Sequence, residues 1–195
     1  MSTLVINGSP KLNHSASSIL IDMLKEKLAE SIDVISINFK NFKNKLLLSK
    51  YDKIIIVSPL YADGLPSHLL ESLVLNEKSI KPNTLIYGIV NCGLIEGIHA
   101  KQGLDIIKNF AIKCKSIYYG GIGIGGCGGL NDMKTKGILK LFTIKIRKKL
   151  TDFARYIQES KYTTNIYTKI GLTRVLYKIV GNLDWKKRIK GEINK

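Results

Sequence analysis

Ile54-Ile55-Ile56-Val57 is the feature that most constrains how this chain can fold. Four consecutive β-branched side chains point alternately to both sides of an extended backbone, so a strand made of them has no face left for water. Such a strand belongs inside a sheet covered on both sides, and the rest of the sequence supplies the covers. Residues 2–7 read as a second buried strand, and 33–38, 84–90 and 116–119 as three more. Between them apolar residues recur at helical spacing: Ile19, Leu20, Met23, Leu24 and Leu28 within 15–30, then a helix from about Ser67, then one over 100–113. This alternation predicts an α/β fold, a three-layer sandwich with a five-stranded parallel sheet and right-handed crossovers.

After the fifth strand, GGIGIGGCGG at 120–129 is too rich in glycine for a regular element. Leu139, Phe142, Ile146, Leu150, Phe153 and Ile157 then recur every three or four residues and predict a long helix with lysines on its solvated face. Beyond Tyr162 the pattern weakens before helical spacing returns over 166–193 at Ile170, Val175, Leu176, Ile179, Val180 and Leu183. The expected division is a domain over 1–160 and a basic helical C-terminal extension over 161–195. Charge follows a similar division: residues 1–133 hold 14 Lys/Arg against 11 Asp/Glu, and residues 134–195 hold 17 against 4. The net charge of +16 therefore belongs mostly to the last third of the chain.

The longest apolar runs fall far short of the roughly 20 residues that span a bilayer, and Met1-Ser2-Thr3 has no basic segment ahead of a cleavable apolar stretch, so neither a membrane span nor a leader is expected. Cys92, Cys114 and Cys127 fit neither a disulfide framework nor a zinc pattern, so no metal site is expected and a reducing cytoplasm is the expected location.

In an open α/β sheet the ligand sits beyond the carboxyl ends of the strands, where strand order reverses. Three loops fall there. In the first, NGSPKLNHSASS at 7–18, Gly8 and Pro10 shape a turn while Ser9, Ser15, Ser17 and Ser18 bring hydroxyls, with the charge of Lys11, to the start of a helix, a corner suited to a phosphate. Helix capping by Ser15 is the simpler role for one of these serines. The loop is neither a Walker loop nor a dinucleotide fingerprint. The second, SPLYADGLP at 58–66, sets a proline and an aromatic side by side, and the third is Asn91-Cys92-Gly93. Gly123 to Gly128 does match GxGxxG, but no acidic residue stands at a strand end about 20 residues on, and a flap beside the site or a turn against a partner subunit is the expected role.

GSPK at 8–11, Ser15-Ala16-Ser17 and PLYADGLP at 59–66 together resemble the flavodoxin-like NAD(P)H-dependent FMN reductases, over roughly residues 2–160. Those proteins read GSPR, then SN[ST], then P-x-Y followed by a proline. The resemblance implies an FMN whose phosphate is held by Ser9, Lys11, Ser15 and Ser17, with its ring system along Pro59, Leu60 and Tyr61 and its pyrimidine end at Asn91, Cys92 and Gly93. It implies a homodimer, NADH or NADPH as co-substrate, and electron transfer to a quinone, a free flavin or another small acceptor. No catalytic side chain is required, because the flavin carries the chemistry. Lys11 replaces the usual arginine and loses its bidentate fork, and Ala16 replaces asparagine and loses a side-chain hydrogen bond. A flavodoxin-type electron carrier and a flavin-free binding protein are the alternatives. The basic extension could meet a second subunit, an anionic membrane surface or, with least support, nucleic acid.

Overall fold

A computed structural model describes residues 1–11, 14–130 and 141–193 of the chain. The strands are β1 (Thr3–Asn7), β2 (Ile32–Ser36), β3 (Lys53–Pro59), β4 (Leu85–Asn91), β5 (Ile117–Gly125) and β6 (Ile166–Lys169). All pair in parallel, in the order β2-β1-β3-β4-β5-β6. The helices are α1 (Ala16–Lys25), α2 (Ser67–Leu75), α3 (Lys101–Lys113), α4 (Ile144–Gln158) and α5 (Arg174–Ile193). The first five strands have the doubly wound flavodoxin-like order, whose direction reverses between β1 and β3.

Every residue of β3 is buried. Its side chains alternate between two cores, Ile55 and Val57 entering one and Ile54 and Ile56 the other. Ile19, Leu20 and Met23 of α1 cover the first core with Ile146, Leu150 and Phe153 of α4. Leu69 and Leu73 of α2 cover the second with Leu104 and Ile107 of α3. Each such side chain contributes about 1.5–3 kcal/mol on burial, enough to fix which face every strand residue takes. At the foot of β3, the buried Lys53 ammonium donates to the carbonyls of Ile157 and Gln158 at 2.7 and 3.3 Å, with the Glu30 carboxylate 3.6 Å away. A cation there satisfies the last carbonyls of α4 and complements the negative end of its dipole.

The sheet differs from the five-stranded expectation at one edge. β5 does not stop at Tyr119 but runs through Gly120–Gly125, and the chain then returns to add β6 beside it, pairing Ile122 with Ile166 and Gly125 with Lys169. The glycines make the crowding possible: a Cβ on Gly125 would lie 2.3 Å from the Ile95 carbonyl. Gly126 then turns the chain with φ +77, a conformation side chains rarely adopt. The first part of the predicted extension is thus sheet, and its helix begins only at Arg174. The predicted start of the preceding helix near Leu139 lies outside the described residues.

Candidate functional site

The loops after β1, β3 and β4 meet in one cleft of about 230 Å³. All ten residues singled out from the sequence line it: Ser9, Lys11, Ser15, Ser17, Pro59, Leu60, Tyr61, Asn91, Cys92 and Gly93. His14, Ala16, Cys127 and Gly128 complete the lining.

The β1 loop is held by its own polar groups. The Ser9 amide donates to Asn7 Oδ1 at 3.1 Å and the Lys11 amide to Ser9 Oγ at 3.3 Å. Ser15 caps α1, its oxygen accepting from the Ser18 amide at 3.0 Å, and its hydroxyl lies 2.8 Å from that of Ser18. Capping and lining the cleft are therefore both roles of Ser15. Since the cap takes up the Ser18 amide, the amides ahead of it at the start of α1 are left without intrahelical partners, at the positive end of the helix.

The β3 loop presents the opposite wall. Tyr61 and Gly64 exchange backbone hydrogen bonds of 2.9 and 3.0 Å, while Ala62 and Asp63 between them take positive φ. That is the geometry of a tight two-residue hairpin turn, and it fixes a half-exposed tyrosine at the cleft's edge.

Asn91 ties the three loops together. Its Nδ2 donates to Ser17 Oγ at 2.8 Å and to the Ser58 carbonyl at 3.1 Å, and its own carbonyl accepts from the Leu60 amide at 2.8 Å. Its amide group is thus engaged with the β1 and β3 loops, although the residue lines the cleft. Cys92 and Cys127 join the β4 and β5 loops, the Cys127 amide donating to the Cys92 carbonyl at 2.9 Å. Burial pushes both thiols above their ordinary pKa.

A second set of contacts, not legible in the sequence, comes from the C-terminal residues. The Tyr177 hydroxyl donates to the Gly93 carbonyl. Glu96 accepts from Lys169 at 2.7 Å and from Arg174 at 3.1 Å. Those two cations, Lys169 foremost, hold its carboxyl below the usual range. β6 and the first turn of α5 therefore clasp the β4 loop from outside.

No family model matches the sequence, and no curated protein matches it. Solved structures match the fold. An NADH:FMN oxidoreductase in its apo form is similar with a TM-score of 0.59 and 12% identity, over 83% of this chain and 90% of that one. An NADPH-quinone reductase from P. pentosaceus is similar with a TM-score of 0.52 and 16% identity, over 81% of this chain and 98% of that one. An NAD(P)H:quinone oxidoreductase from Methanothermobacter marburgensis gives 0.50 and 10%, over 81% and 97%. The chain is a flavodoxin-like α/β protein whose solved structural neighbours include NAD(P)H-dependent flavin and quinone reductases.

Proposed function

We propose that the chain is an FMN-binding, NAD(P)H-dependent oxidoreductase that passes electrons to a small acceptor such as a quinone or a free flavin. The observation that carries this reading is the two-ended chemistry of one cleft. At one end Lys11, the hydroxyls of Ser9, Ser15 and Ser17 and the start of α1 offer a site to an anion. At the other, Pro59, Leu60 and Tyr61 offer an apolar wall to a planar ring. A Cβ built on Gly93 would meet nothing within 4 Å, so that backbone borders open space where a ring's polar edge can be received. This donor set fits FMN. The fold shared with an NADH:FMN oxidoreductase and an NADPH-quinone reductase supports the same reading.

FMN, when bound, supplies the hydride and electron chemistry. The side chains bind and orient. Lys11 offers a point charge to the phosphate where an arginine would offer a fork. Asn91 sets the spacing of the loops, and the turn under Tyr61 holds the ring wall. Burial, which raises the pKa of Cys92 and Cys127, favours their thiol form over the thiolate.

Anaerobic mixing of the FMN-loaded protein with NADH or NADPH tests the reading. The flavin's visible absorption should bleach with at least one of them and return when a quinone is added. Absorption that persists with both would leave an electron carrier instead.

A further inference from the structure

α5 is the part of the molecule that the cleft does not explain. Its 20 residues extend about 30 Å, yet among the described residues its ties to the rest of the fold lie near its start, in the Arg174–Glu96 pair and the Tyr177–Gly93 hydrogen bond. From Lys178 to Ile189 every described side chain is exposed. These include large apolar groups: Val175, Leu176, Ile179 and Leu183 form a stripe at helical spacing, and Trp185 and Ile189 form a second, four residues apart. Val175 is 69% and Trp185 65% exposed. Large apolar groups exposed together on one helix mark an interaction site.

The charge identifies what covers it. α5 carries six Lys/Arg against two Asp/Glu, and Lys186, Lys187, Arg188 and Lys190 follow Trp185 closely in the sequence. A second copy packed on the same face about a twofold axis would bring the exposed Lys178 and Lys186, which stand among these apolar groups, towards their counterparts. Basic residues clustered on an exposed apolar helix, with a tryptophan among them, match the interface of an anionic bilayer instead. Among the described residues no helix is long and apolar enough to cross a membrane, so the contact would lie in the surface plane.

We infer that α5 docks the protein on an anionic lipid surface. The apolar stripes enter the boundary between headgroups and acyl chains, and the lysines meet the lipid charge. Tyr177, in the first turns of α5, touches Gly93 at the cleft, so the docked surface begins beside the site. This inference does not depend on the flavin.

Trp185 is the chain's single tryptophan, so its emission reports on α5 alone. Titration of the full chain with vesicles of phosphatidylcholine containing phosphatidylglycerol should shift that emission to the blue. The shift should disappear in about 1 M salt, where the Debye length is roughly 3 Å. Vesicles of phosphatidylcholine alone should give little shift. The double variant K178Q/K186Q, altered at two exposed positions, should partition more weakly by about fivefold for each charge removed. An emission unchanged by the anionic vesicles would overturn the inference, as would equal binding to both vesicle types. A blue shift that grows with protein concentration in the absence of lipid would overturn it in favour of a second copy.

Discussion

The Tyr177 hydroxyl donates a hydrogen bond to the Gly93 carbonyl across 84 residues of sequence. One partner lies in a helix at the end of the chain and the other in the cleft loop after β4. With the Lys169–Glu96–Arg174 cluster, this bond makes the C-terminal residues a support for the site.

Tyr177→Phe keeps the ring and removes only the bond. The expected loss is about 1 kcal/mol, roughly fivefold in FMN affinity, with little change in the urea midpoint. Quenching of FMN fluorescence measures the first and denaturation the second. Unchanged affinity with lowered stability would mean that the bond supports the fold and not the site.

Asn91→Ala should do more damage. It removes two donated hydrogen bonds and leaves the Ser58 carbonyl without its side-chain partner, at a cost of about 2–3 kcal/mol in stability. FMN affinity should fall at least tenfold, because the β1 and β3 loops lose their common tie. Fluorescence titration alongside urea denaturation separates the two effects.

Tyr87→Phe should stabilise the protein. The Tyr87 ring is fully buried and packs edge-on against Tyr119 and Phe153, while its hydroxyl has no hydrogen-bond partner among the described residues. Removing that oxygen should raise the free energy of unfolding by about 1 kcal/mol. A rise in the urea midpoint at unchanged slope is the expected sign.

His68 gives a pH dependence. It is buried, and its Nε2 donates to the Ile37 carbonyl at 3.1 Å; burial lowers its pKa from the ordinary 6.5. The unfolded chain therefore takes up the proton first as pH falls. The stability linked to His68 is complete above about pH 6.5 and is lost below it, down to the folded-state pKa. Urea midpoints measured on either side of about pH 6.5 should show the loss, and His68→Gln should reduce the difference.

The unbroken apolar run of β3 and the regular spacing of α1 and α3 made the sheet and its covers readable, since burial on both faces leaves a plain pattern. Gly120–Gly125 concealed the second half of β5, because glycine carries no pattern; the close approach of the Thr163, Gly88, Gly97 and Ile95 carbonyls to its four glycines explains it. β6 escaped because Ile166-Tyr167-Thr168-Lys169 is too short to show a period of its own next to the helical spacing of α5. The three site loops were legible because each stands directly after a strand with distinctive residues. The clasp on Glu96 and Gly93 was not, since nothing local at Lys169, Arg174 or Tyr177 names a partner so far along the chain.

In the proposed function the cleft holds FMN with Lys11 at its phosphate. Titration of FMN with the purified apo-protein tests this most directly, with riboflavin, which lacks the phosphate, in parallel. Saturable quenching of FMN at one site per chain is predicted, with riboflavin bound more weakly and the difference reduced in Lys11→Ala. FMN fluorescence that stays unquenched at all protein concentrations would contradict the account.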